Sequence, residues 1–318
     1  MINKSPFLSQ TSPICPKDLL TNAKNKLVKP RIAIASAGHM LPMTAAKEAV
    51  LEGIMTPIFV GEEALIKLCA NDLNWDISNF QIIHTTGEAE AAKTAARLCG
   101  DGQADILMKG HIHSDLFIKS VLDKDSGLRT KQRLIHVFYI SHPDGGNPLL
   151  ISDAAVNVSP DLQTRKDATI QIVKLLRSLG NKEPRIAFLS ATESVLESVP
   201  SSVDANTLYE WCIKNISAAH FSGPLALDTL LSYNAAITKG LQGNPVVGRP
   251  DAIIVPDIVS GNVLFKSLVY LSGGCAAGIV LGAKVPLLLT SRADPPAARL
   301  ASIALATLIS KEERLTDN

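Results

Sequence analysis

Charge of one sign is the first thing this sequence lacks. Lys and Arg number 31 against 30 Asp and Glu, a net of +1, which excludes a nucleic-acid binder held by bulk basicity. Aromatic residues are scarce at 4%, yet 46% of the chain is hydrophobic, and that excludes disorder. The five cysteines (Cys15, Cys69, Cys99, Cys212, Cys275) are odd in number and scattered. They show no CxxC or Cys/His spacing of the zinc-binding kind, so no metal site is expected and a reduced, cytoplasmic chain fits best. Long hydrophobic runs are missing too: none reaches the ~18–20 residues of a membrane span. The opening MINKSPFLSQTSPICPKDLL interrupts its apolar stretch with Ser, Gln, Pro and Asp. It has no continuous hydrophobic centre for a signal peptide, so neither export nor a membrane partner is expected.

Familiar catalytic and nucleotide-binding motifs are absent as well. The sequence has no GxxxxGK[ST] phosphate loop, no GxSxG elbow and no GxGxxG after a strand. The glycine-rich run 272–278 reads as a tight helix-to-strand turn, and Cys275 within it as a buried, inert thiol with no basic neighbour in sequence.

What is present is alternation. Short apolar, β-branched runs alternate with longer Ala- and Leu-rich amphipathic stretches, the pattern of a parallel sheet flanked by helices. Strands are expected at 31–35, 56–60, 81–84 and 105–108, followed by helices near 44–52, 62–69, 88–98 and 114–122. Residues 133–140 read as a hairpin arm. The turn-rich segment 142–148 is the best candidate for a crossing between domains. The rhythm then restarts, with strands at 149–152, 185–189, 252–255, 277–281 and 285–289. Helices are expected at 161–179, 204–213, 262–271 and about 296–309. Because single cores stop growing beyond roughly 250–300 residues, 318 residues imply two domains.

In open α/β sheets ligands bind outside the carboxyl ends of strands. Four such ends are polar. ILMKGH, residues 106–111, places Lys109 to meet an anion and Gly110 to admit close backbone approach, against the plain reading of a surface lysine on a βα turn. His111 and His113 lie two apart but have no carboxylate at metal-binding spacing. LLISDAAVNVSPD carries Asp153 and Asn157 in an apolar turn, where capping explains much of their presence. IIVPDIVSGNVLFK offers Gly261 and Asn262 as the opening of a helix whose amides suit an anion, with Lys266 one turn further in. VPLLLTSRADPP sets Ser291, Arg292 and Asp294 between a strand and a proline-started helix. Arg292 has the planar fork for a phosphate, Ser291 can donate to an oxyanion, and Asp294 can accept a proton. Helix capping by Asp294 competes with that reading but leaves the arginine unexplained, since the positive end of a helix disfavours it unless an anion is bound.

The run VPDIVSGNVLFKSLVYLSGGCAAGIVLGAKVPLLLTSRAD resembles the C-terminal signature of the phosphate acetyltransferase and phosphate butyryltransferase family. LMKG (107–110), GLRT (127–130), SDAAVNVSPDL (152–162), LSATES (189–194) and GPLALD (223–228) resemble its other motifs in order. The likeness spans residues 31–308 and looks closest to butyryltransferases and to the phosphate acyltransferase part of fused enoyl-CoA hydratase/phosphate acetyltransferase proteins. It implies an acyltransferase that reversibly moves a short acyl group between coenzyme A and inorganic phosphate. Both are substrates, with no tightly bound cofactor. It implies two α/β domains with mostly parallel sheets and an interdomain cleft, of isocitrate dehydrogenase-like architecture. The expected domains are 1–147 with 294–318, and 148–293, in a chain that forms a homodimer.

The same resemblance matches Ser291 and Arg292 to the pair assigned to thiol and phosphate, and Arg129 to an arginine across the cleft. Asp153 and Asn157 fall at shared positions with a shaping role. The acid of the acetyltransferase branch, seven residues after the serine, falls here on Ala298, so Asp294 is the base expected in this turn. Two alternatives stand beside this reading: a non-catalytic paralogue that senses acyl-CoA or acyl phosphate, and a decarboxylating dehydrogenase of the same architecture.

Overall fold

Alternation of apolar runs and amphipathic stretches becomes alternation of strands and helices. The computed structural model of the chain describes residues 5–289 and 294–310. After helix α1 (Lys17–Lys24) come β1 (Arg31–Ala35), α2 (Met40–Leu51), β2 (Thr56–Gly61), α3 (Glu63–Asp72) and β3 (Gln81–His84). Next are α4 (Gly87–Gly100), β4 (Ile106–Lys109), α5 (Ser114–Leu122), a 3-10 turn at Lys124–Ser126, β5 (Ile135–Ser141) and β6 (Leu149–Ser152). They are followed by α6 (Leu162–Ser178), β7 (Arg185–Leu189), α7 (Pro200–Asn215), β8 (His220–Leu225), α8 (Leu227–Leu231) and α9 (Tyr233–Thr238). The chain closes with β9 (Ala252–Ile254), α10 (Ile258–Tyr270), β10 (Cys275–Leu281), β11 (Leu287–Leu288) and α11 (Pro296–Ile309). The class is mixed α/β with mostly parallel pairing.

The chain divides into two compact units: the described parts of Ile14–Gln132 with Ala277–Asn318, here the first unit, and of Met1–Pro13 with Arg133–Ala276, the second. In the first unit the strand order is β3-β2-β1-β4-β11-β10, parallel except for β10 against β11. β1 to β2 continues in one direction, whereas β4 lies on the other side of β1, so the order reverses between β1 and β4. Four of the five β1 residues and all four of β4 are buried. The apolar runs of these strands therefore fill the interior, as a sheet covered on both faces requires. Helix α4 covers the sheet with Ala91, Ala92, Ala95, Ala96 and Cys99, a helical stripe of small residues. Helix α11 packs against α1 and α2. Its last carbonyls, those of Thr307 and Leu308, accept from buried Lys26 at 2.8 and 3.4 Å, a cation at the helix end where the dipole favours it.

In the second unit β5 and β6 form an antiparallel hairpin, with Phe138 opposite Ile151, and segment 142–148 links its two arms. Parallel strands then continue in the order β6-β9-β7-β8. Ile140, Ile151, Ala187, Ile253, Val246 and Val247 are core members there. Both units use one device at the amino ends of their sheets. Asp105 accepts from the backbone N–H of Arg31 at 2.8 Å and from its guanidinium at 3.1–3.2 Å. Asp251 does the same for Arg185 at 2.8 Å and 2.7–3.0 Å.

Three helices begin four residues earlier than expected: α2 at Met40, α7 at Pro200 and α10 at Ile258, not at residues 44, 204 and 262. Helix α10 has Asp257 as N-cap. The Asp257 carboxylate accepts from Ser260 N at 2.8 Å, and the Gly261 amide already donates inside the helix to Asp257 O at 3.2 Å. An N-cap aspartate overrides the strand-like Ile-Val pair that follows it.

Candidate functional site

The reversal of strand order in the first unit puts the carboxyl ends of β1 and β4 side by side, with Ala35 in register with Lys109. Such a reversal is where open α/β sheets place ligands. Beyond β1 the backbone turns through Ser36 with φ 57°. Gly110 N donates to Ala35 O and His111 N to Ser36 O, both at 2.9 Å. A Cβ on Gly110 would lie 2.4 Å from both of these carbonyl oxygens, so only glycine fits. The two strand ends are thereby laced together, and the His39 and His111 rings stack at 4.0 Å with planes 6° apart. His39 also caps α2, its Nδ1 accepting from Leu41 N at 3.3 Å.

Lys109 closes β4 and is 7% exposed, far from the surface lysine of the plain alternative. It lines a narrow pocket with Leu41, Pro42, Gly110, His111 and Arg299. Arg299, in the first turn of α11, is 6% exposed, and its Nε has no hydrogen-bond partner among the described residues. One Nη donates to the Asp294 carbonyl. Sequence reasoning passed over Arg299. The available signal was a cation near the positive start of a helix, the same signal that drew attention to Arg292.

Ser291 and Arg292 lie outside the described residues. Their flanks are described: β11 runs parallel to β4 with Leu288 beside Met108, so it leads the chain toward the strand end that holds Lys109. Asp294 is half-buried and does not cap α11, whose N-cap position is held by Pro295 without a side-chain bond. The capping explanation for Asp294 therefore falls. Ala298 sits buried in the same turn.

Arg129 is exposed on a fixed backbone. Gly127 takes φ 68° against Gly100, Leu128 is buried, and its carbonyl accepts from Lys284 N at 2.9 Å. Thr130 Oγ1 donates to Gly282 O at 2.5 Å. His113 is engaged by Glu88 at 2.8 Å. The backbone N–H of His113 and then its ring hold that carboxylate below its usual range. Among the described residues no group of three His, Cys, Asp or Glu side chains is placed to hold a metal ion. Burial pushes the thiols of Cys15 and Cys212 up, to about 11 and about 12, and Cys275 is 2% exposed. None of these thiols resembles an activated nucleophile.

In the second unit the polar residues are committed internally. Asp153 is 4% exposed. Its Oδ1 accepts from Ala155 N and Val156 N at 2.8 and 2.9 Å, and its Oδ2 from His136 N and Asn157 Nδ2 at 3.0 and 2.7 Å. Asn157 Nδ2 also donates to Leu134 O at 2.9 Å. Burial, opposed only by Asp153, lowers the His136 ring to about 4 and keeps it neutral. Gly261 lies in the second turn of α10, not at its opening. A Cβ there would lie 2.8 Å from Asp153 O, so the glycine serves close packing. Asn262 reaches Ala154 O at 3.4 Å, and Lys266 is exposed.

The chain matches the model of the Phosphate acetyl/butaryl transferase family over residues 86–307. It is 39% identical to a phosphate acetyltransferase of Rhizobium meliloti over 270 residues, 85% of either chain. With a phosphate butyryltransferase of Clostridium acetobutylicum it shares 34% over 294 residues, 92% of this chain and 97% of that one. A branched-chain phosphotransacylase from Enterococcus faecalis, 30% identical, superposes with a TM-score of 0.78 over 89% of this chain and all of that one. No helix among the described residues is long and apolar enough to cross a membrane. The motifs and the strand-end geometry thus meet an independent family match covering most of the sequence: the chain belongs to the phosphate acetyl/butyryl transferase family.

Proposed function

We propose that this acyltransferase reversibly exchanges a short acyl group between coenzyme A and inorganic phosphate, acyl-CoA + phosphate = acyl phosphate + CoA. The observation that carries the proposal is the buried Lys109 where β1, β4 and β11 converge. Ser291 and Arg292 follow β11 in the sequence. A CoA thiol near pKa ~8.5 is mostly protonated at neutral pH and must lose its proton to attack an acyl phosphate carbonyl. Asp294 is the proposed base. The oxygen of the attacked carbonyl gains charge as the thiolate adds, and phosphate leaves as an anion, so both need fixed donors. Ser291 and Arg292 take that role in this reading, with Lys109 and Arg129 as further anion contacts.

Asp153, Asn157, Gly261 and Asn262 shape the binding surface of the second unit, and Lys266 is an outer positive contact for CoA phosphates. The reading includes the isocitrate dehydrogenase-like arrangement of domains 1–147 with 294–318 and 148–293, a homodimer, and a cytoplasmic setting.

Ala298, buried where the acetyltransferase branch carries an acid, favours a second reading, a non-catalytic sensor of acyl-CoA or acyl phosphate. One assay separates the two. The wild-type chain is mixed with acetyl-, propionyl- or butyryl-CoA and phosphate, and free thiol is followed with a thiol reagent. Phosphate-dependent release that varies with acyl length is expected; release of none from any of the three would leave the sensor.

A further inference from the structure

Strand β8 closes one end of the sheet: it pairs with β7, and no strand among the described residues pairs with its other side. His220 N donates to Pro184 O at 2.8 Å. The alternation of the strand therefore turns the N–H and C=O of the next residue, Phe221, to the free side. A groove of about 480 Å³ lies there, wholly within the second unit and in the size range of small-molecule sites. Phe221 is 6% exposed, so its outward donor and acceptor meet only what enters the groove. Tyr209 and Ile213, one turn apart on α7, line it together with Leu241 and Pro245.

Charge and repeat narrow the ligand. No Lys or Arg lines the groove to meet a phosphate. Its one carboxylate, Glu193, already accepts from Ala226 N, Thr229 Oγ1 and Lys239 Nζ at 3.3, 2.9 and 3.0 Å, which leaves little for a cation. An added peptide strand needs a series of donors and acceptors. Pro224 has no N–H, and the β7–β8 register shifts between Ala187 and Leu189, so the series stops after Phe221. One donor–acceptor pair beside an aromatic side chain suits a flat, uncharged ring with an acceptor next to a donor, as on the edges of adenine.

We propose that this groove binds an adenine ring, whose ring nitrogen accepts from Phe221 N–H, whose amino group donates to Phe221 O and whose face is covered by Tyr209. The ring has two sources: the adenosine end of CoA, which rests on the acyltransferase reading, and a free adenine nucleotide, which does not.

The test uses the full chain. Adenosine binding is titrated by saturation-transfer NMR, and KM is measured for acyl-CoA and for an acyl-phosphopantetheine that lacks the adenosine. Adenosine is expected to bind. Inosine, with donor and acceptor exchanged on that edge, should bind at least about 10-fold more weakly. Tyr209→Ala should weaken adenosine about 10-fold, the worth of one base–aromatic stack. Gly243 lines the groove, and a Cβ there meets nothing within 4 Å, so Gly243→Phe fills the groove without disturbing the fold and removes adenosine binding. With CoA as the source, both variants raise the KM for acyl-CoA about 10-fold, and the rise is confined to the substrate that carries adenosine. With a free nucleotide as the source, adenosine binding falls and neither KM moves.

No adenosine binding to the wild-type chain, equal binding of inosine, or undiminished binding in Gly243→Phe overturns the proposal. A chain that binds adenosine in this groove yet releases no CoA keeps the site and loses the acyl-transfer reading; turnover without adenosine binding does the reverse.

Discussion

The carboxyl end of β4 and the carboxyl end of β6 look alike in sequence, each an apolar run that stops in charge. They differ in what happens to that charge. Asp153 beyond β6 accepts four hydrogen bonds of 3.0 Å or less from its own neighbourhood, and Asp257 beyond β9 caps its own helix. At β4 the nearby Arg299 is buried with its Nε unsatisfied among the described residues, and the described lining of the pocket carries no acid. A polar strand end is therefore not a binding site by virtue of its polarity. It becomes one when the protein has buried donors without supplying their acceptors, because only a ligand then completes the set.

The largest effect that could sharpen this contrast belongs to Asp294. Asp294→Asn is expected to lower kcat by ~10²–10⁴-fold with little change in stability if it removes the thiol's proton. Near-normal turnover would exclude it as the base.

Asp153→Ala is expected to do the reverse. It strands several buried donors and should cost about 3 kcal/mol or more in urea unfolding, and any fall in turnover should accompany that loss of stability, because Asp153 acts on binding only through the backbone it holds. Loss of activity at unchanged stability would erase the distinction between the two strand ends.

His136 provides a test by pH. Its ring titrates near 4 when folded and near 6.5 when not. Unfolding therefore takes up a proton between those values, and the contribution is complete above 6.5 and lost as pH falls toward 4. His136→Leu should flatten the fall in melting temperature across that window relative to wild type; parallel curves would show that the ring is not buried neutral. The smallest expected effect is that of Lys266→Gln, about two- to fivefold in the KM for acyl-CoA, since an exposed ion pair is worth only ~0.2–1 kcal/mol.

Much of the fold was legible because period and apolarity are local signals. The strands at 31–35 and 81–84 and the helix at 114–122 follow directly from them. Helix α10 was not, because Asp257 and the two apolar residues after it read as a strand end, and glycine at 261 suggested a start that the Asp257 cap had already made. Strand β8 escaped notice because Gly223-Pro224 sits inside it, a pair that normally marks a turn. At the site, Lys109 and Gly110 could be read from the strand end that carries them. Arg299 could not, since one arginine in an Ala- and Leu-rich helix looks like its solvent face. Its burial beside β4 is decided by long-range packing, which no local pattern encodes.

Substitution of Lys109 by methionine tests the account most directly, because it keeps the length and apolar stem of the side chain and deletes only the charge. In Lys109→Met, kcat/KM for phosphate-dependent CoA release is expected to fall about 100-fold, with the unfolding transition in place. An unchanged kcat/KM in a folded Lys109→Met chain would contradict it.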